Sequence, residues 1–74
     1  MANRIEVLSD VAGKVWKIEA AVGDALAAED TVMILESMKM EIPVETKKAG
    51  KLVELLVAEG DPVDEGQPVA VIEA

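Results

Sequence analysis

The sequence predicts an all-β fold built from one four-stranded motif written twice, and three observations carry that reading. The segments around Gly13 and Gly50 superpose without a gap at a shift of 37 residues, with ten identities among the 33 pairs from Ile5/Ile42 to Ser37/Ala74. Each copy consists of short β-branched runs with no sustained period of three to four, which is the pattern of strands and not of helices. Glycine, aspartate and proline punctuate the runs, supplying turn chemistry between them.

The strands fall near 4–8, 13–20, 25–27 and 32–37, and again near 41–45, 50–57, 62–64 and 69–73. The first of each set pairs Ile5 with Ile42 and Val7 with Val44; the second opens on Ala12-Gly13-Lys14, repeated as Ala49-Gly50-Lys51. Alternation along the second strands puts Trp16, Ile18, Val53, Leu55 and Val57 on one face, and Trp16 is expected in the core because its counterpart is Val53. Gly23-Asp24 and Gly60-Asp61 make tight turns into the third strands. A helix over 24–30 suits local propensity, but its counterpart holds Pro62 and Gly66 and must follow the same backbone path, so the helix is rejected. Glu29 stands where the second copy has Gly66, so the first of these turns is expected to be strained or differently formed. The run Val32-Met33-Ile34-Leu35 is apolar throughout, as in a central strand covered on both sides. Pro43, Pro62 and Pro68 sit at strand starts or edges, where a missing N–H is harmless.

Composition narrows the function. A chain of 74 residues makes a single domain, one that buries only about 60% of its unfolded surface, so an enclosed active-site cavity is not expected and function belongs on the surface. With no Cys and no His, the usual nucleophile–base pairs, zinc sites and disulfide frameworks are excluded; no cluster of acids suggests a metal. The net charge of −8, spread without a basic cluster, and a single aromatic residue argue against nucleic acid. No apolar run approaches the roughly 20 residues that span a bilayer, and the N-terminus lacks the apolar core of a signal peptide, so a cytoplasmic protein without a membrane partner is expected.

Between the repeats, at about 5–37 and 42–74, the connection Met38-Lys39-Met40-Glu41 should form a hairpin with Lys39 at its tip. The 37-residue shift maps this tip onto the segment before Ile5, so the chain ends are expected to meet away from Lys39. Two thioethers beside a turn lysine have no folding rationale and mark Met38 and Met40 as contact surface. Glu36-Ser37-Met38-Lys39-Met40-Glu41 resembles the acceptor sequence of the biotinyl/lipoyl attachment family, in which the lysine of a Met-Lys-Met tripeptide is biotinylated. The resemblance covers residues 5–73, through Ala12-Gly13, Val22-Gly23-Asp24, Val32 to Glu36, Pro43, Gly50, Glu59-Gly60-Asp61, Val63 and Gly66.

The resemblance implies a flattened β-barrel, or barrel-sandwich hybrid, of two four-stranded antiparallel sheets with internal pseudo-two-fold symmetry. It implies that Lys39 carries covalent biotin, that Met38 and Met40 flank the acceptor, and that Glu36, Ser37 and Glu41 belong to the hairpin recognised by a biotin protein ligase. It also implies a carrier with no catalytic residue of its own, whose tethered biotin takes a carboxyl group from a biotin carboxylase to a carboxyltransferase, most simply of the acyl-CoA carboxylase type. Nothing beside Lys39 in the sequence activates it as a nucleophile, so the ligase must bring an activated acyl group. Within the same fold the rival is a lipoyl carrier, whose acceptors usually read Asp-Lys-Ala; methionine on both sides of Lys39 favours biotin. An unmodified β-domain acting as a binding module is the second alternative. Some carriers of the family insert a protruding thumb between strands two and three. Only Ala20 to Asp24 lies there, so a thumbless carrier is expected, and the Met1 start suggests a free-standing one.

Overall fold

The computed structural model describes residues 3–74, and every regular element in it is a strand. In chain order these are β1 (Arg4–Leu8), β2 (Gly13–Ile18), β3 (Ala25–Leu26), β4 (Thr31–Ser37), β5 (Met40–Glu45), β6 (Gly50–Leu55), β7 (Pro62–Val63) and β8 (Pro68–Glu73). They form two antiparallel four-stranded sheets, ordered β1-β8-β6-β3 and β5-β4-β2-β7. Exchanging β1 to β4 for β5 to β8 converts one order into the other, which is the pseudo-two-fold symmetry the repeat requires. The sheets share one core of Val7, Val15, Val32, Met33, Leu35, Val44, Leu52, Val63, Val69 and Ile72. They do not close into a barrel: β1, β3, β5 and β7 are edges, and the architecture is a sandwich.

The symmetry extends to single hydrogen bonds. Val15 N–H donates to Asp61 O as Leu52 N–H donates to Asp24 O, each at 2.9 Å, and Glu29 and Gly66 N–H donate to Thr46 and Ser9 O, each at 2.7 Å. Ser9 and Thr46 are buried at the same place in the two copies, and each hydroxyl donates to the carbonyl two residues on, of Val11 and Lys48. Neither buried hydroxyl is left without a partner, which removes the desolvation cost of placing it there.

The four turns flanking β3 and β7 share one construction. In Ala21–Asp24, Ala27–Asp30, Ala58–Asp61 and Asp64–Gln67 the fourth N–H donates to the first carbonyl at 3.0–3.1 Å. The fourth side chain also accepts from the first N–H, at 2.9–3.0 Å. The third residue has positive φ: 102° at Gly23, 93° at Gly60, 83° at Gly66 and 72° at Glu29. The Glu29 turn is therefore formed like its mate and is strained, since a side chain in the left-handed region costs about 1–2 kcal/mol.

Two expectations are corrected. Trp16 is not in the core: it is 48% exposed, while its neighbour Val15 is 2% exposed. The cause is a β-bulge. Val15 pairs with Leu35 and Lys17 with Ile34, so Trp16 is the extra residue and strict alternation fails there. The same bulge recurs between Leu52 and Glu54, leaving Val53 half-buried, and beyond both bulges Ile18, Leu55 and Val57 pack against the core as expected. The second correction is that β2 and β6 end at Ile18 and Leu55, two residues short of the prediction. There Glu19 and Ala20 N–H both turn to Val32 O, and Leu56 N–H to Val69 O, which takes the chain out of the ladder.

Candidate functional site

The hairpin between the repeats is tighter than its sequence suggested. Ser37 pairs with Met40, so the loop is only Met38-Lys39. Both residues have positive φ, 51° and 67°, as a type I′ turn demands; that turn normally takes Asn-Gly because side chains resist the left-handed region. Two consecutive non-glycine residues in it store strain of about 1–2 kcal/mol each. Such strain persists only where surrounding structure enforces it.

That enforcement comes from β4. Leu35, two residues before Ser37, is fully buried, and β4 is hydrogen-bonded on both sides, to β5 and β2. Gly13 lets β2 approach: a Cβ there would lie 2.8 Å from Glu36 O and 3.3 Å from Ser37 Cβ. The hairpin thus projects from a braced strand. Met38 is 93% exposed and Met40 63%, and Lys39 is exposed as well. Among the described residues the Lys39 ammonium makes no ion pair. Glu36 and Glu41 stand directly opposite each other beside the turn, a like-charge pair that disfavours folding. Lys14 flanks Glu36 on its other side. Ser37 is half-buried under the turn.

A groove of the molecule lies elsewhere, lined by Ile5, Val7, Leu8, Asp10, Thr46 and Lys48 among others, and no residue of the turn contributes to it. At the pseudo-symmetric position of the Ser37–Met40 pair, Asn3 and Ala74 exchange two backbone hydrogen bonds of 2.9 and 3.3 Å, so the first and last described residues meet at the mate of the turn.

Residues 5–72 match the family described as biotin-requiring enzyme. This chain belongs to that family. Among its relatives, a urea amidolyase of Saccharomyces cerevisiae is 42% identical over 90% of this chain and 4% of its own length. A biotin/lipoyl attachment protein of Bacillus subtilis is 45% identical over 76% of this chain and 77% of its own. The solved structure of Kluyveromyces lactis urea carboxylase superposes with a TM-score of 0.89 at 43% identity, covering 95% of this chain and 6% of that one. The chain thus spans a small part of the first relative and most of the second. As a member of the biotin-requiring family it is a carrier domain of the kind found in biotin-dependent carboxylases, and not a catalyst. Its cofactor is biotin. The turn fits such a group, because an exposed amine on a projecting hairpin can hold a cofactor by a covalent bond.

Two features of this site escaped the sequence reading. The left-handed geometry of Met38 and Lys39 follows only once the loop is known to have two residues. Gly13 served in the sequence as a repeat marker and a point of family resemblance, and its role as the gap that admits Glu36 O depends on strand spacing.

Proposed function

We propose that Lys39 is the residue that carries biotin, and that this chain transports a carboxyl group from a biotin carboxylase to a carboxyltransferase. The observation that carries the proposal is the strained two-residue turn, which holds one lysine of six out on a braced hairpin with methionines to either side. In the attachment step the Lys39 Nζ attacks the carbonyl of biotinyl-adenylate on a biotin protein ligase. The amide bond forms, the bond to AMP breaks, and the amine proton leaves with the ligase's help. No group of this chain activates the nucleophile. Its own contribution is geometric: Met38 and Met40 offer adaptable apolar contact, while Glu36, Ser37 and Glu41 give the ligase a fixed edge to read. Biotin supplies the ureido nitrogen that bears the carboxyl group; the tether keeps it at high effective concentration for both partner sites. The carboxyl acceptor is set by the transferase. The names of the relatives support urea beside the acyl-CoA class inferred from sequence.

Incubation with a biotin protein ligase, biotin and ATP, followed by intact-mass and peptide mapping, tests the assignment. One biotin at Lys39, abolished in Lys39→Arg, is expected. A mass equal to that of the bare polypeptide, or a label at another lysine, would overturn it.

A further inference from the structure

The two outer faces of the sandwich differ where the repeat makes them equivalent. In the β1-β8-β6-β3 sheet, Arg4 reaches across β8 to Glu54, Nη2 to Oε1 at 3.2 Å, and Val71 between them is only 6% exposed. The equivalent positions in the other sheet are Glu41, Lys17 and Ile34. Lys17 there pairs with Glu19 at 3.8 Å instead of reaching over β4, and Ile34 is partly buried where Val71 is buried. Trp16, bulged out beside Ile34, and Pro43, paired with Ile34 on its other side, complete an apolar strip with no counterpart on the first face, where Val53 and Glu6 stand. The equivalent bulge holds the partly buried Val53, so the bulge itself does not call for an exposed indole.

The strip lies on the sheet that carries the turn, within reach of a group attached at Lys39. Trp16 lies on β2, level with Leu35 and Ile34, while Lys39 leads into β5 on the far side of β4, so about three to four residues, roughly 10–13 Å along the strands, and between one and two strand spacings of about 4.8 Å sideways separate the two. The eleven bonds from a lysine Cα to the ring of an attached biotin, each about 1.5 Å long, carry the ring about 14 Å. We infer that Trp16 is a resting platform for this chain's own biotin ring, which folds back over the Glu36 and Lys14 row onto the indole; the inference rests on the attachment proposed above. A short flexible tether gives a millimolar effective concentration, so a contact with a dissociation constant of about 1 mM is half formed. Half occupancy suits a carrier, since the ring must leave readily for a partner's site.

Trp16 is the single aromatic residue of the chain, which makes its fluorescence an unambiguous readout. The ligase-treated and untreated full chains are compared by intact mass, tryptophan emission and quenching by acrylamide, a neutral reagent insensitive to the lost lysine charge. With one biotin added, the emission should shift to the blue and the quenching constant should fall about twofold, while Lys39→Arg treated alike stays at the untreated value. Biotinylated Trp16→Val, which takes the residue of the equivalent position, should be captured by streptavidin about twice as fast as the biotinylated parent. A mass increase with unchanged quenching and equal capture rates overturns the platform and leaves the attachment intact. Shielding of Trp16 that requires added ligase or carboxylase also overturns it, in favour of a protein partner on this face. No mass increase overturns both readings.

Discussion

The Ser37–Met40 pair and the Asn3–Ala74 pair occupy equivalent places in the two repeats, yet one is bridged by Met38-Lys39 and the other is held by two hydrogen bonds with no chain between. The comparison separates what the fold needs from what it merely carries. Strand pairing at this position does not require a connecting turn, so the identity of the two bridging residues is released from folding. Those two residues are poor choices for their geometry, with φ of 51° and 67° on side chains that resist it. Strain carried by both residues of the turn is what the proposed display of Lys39 accounts for.

The comparison is broken or sharpened most strongly in the core. Leu35 and Ile72 are equivalents, both fully buried, one beneath the turn and one beside the chain ends. Leu35→Ala and Ile72→Ala should each cost about 2–5 kcal/mol in urea unfolding, enough to bring so small a domain near its limit. A large inequality between them would show that the repeats are not energetically equivalent. The glycine brackets come next. A Cβ at Gly13 or at Gly50 would meet a carbonyl, Glu36 O or Glu73 O, at 2.8 Å in both cases. Each alanine variant should cost about 1–3 kcal/mol. The two losses should be equal, because each carbonyl belongs to a strand paired on both sides, Glu36 with Lys14 and Glu41 and Glu73 with Lys51 and Arg4. A clearly larger loss at one glycine would show that the two sheets are not equally rigid.

The smallest effects are gains. Met38→Gly and Glu29→Gly each relieve a left-handed side chain worth about 1–2 kcal/mol and add glycine's unfolded-state entropy of about 0.5–1 kcal/mol, leaving a net stabilisation near 0.5–1 kcal/mol. A raised urea midpoint with an unchanged slope would record it. Destabilisation by Met38→Gly would show that the thioether packs as well as protrudes.

Most of the fold was legible because the repeat is gapless and its turns are chemically marked: Gly23-Asp24 and Gly60-Asp61 form the same turn, with each aspartate accepting from the N–H three residues before it. The candidate acceptor was legible because Met-Lys-Met has no role in a sheet. Trp16 was misplaced because period-two alternation assumes an unbroken ladder, and the bulge between Val15 and Lys17 shifts it by one residue. Four residues were assigned to the hairpin where two suffice, since the pairing of Ser37 with Met40 leaves no local mark.

By itself the sequence determined the eight strands, their doubling and the placement of Lys39 between the two copies, because turn formers and hydrophobic runs act over a few neighbouring residues. The tertiary structure alone decided that Trp16 faces solvent, that Met38 and Lys39 are forced left-handed, and that Val71 is buried beside the Arg4–Glu54 pair while Ile34 is only partly buried. These outcomes depend on register between strands and on side chains meeting across a sheet, and no stretch of neighbouring residues encodes them.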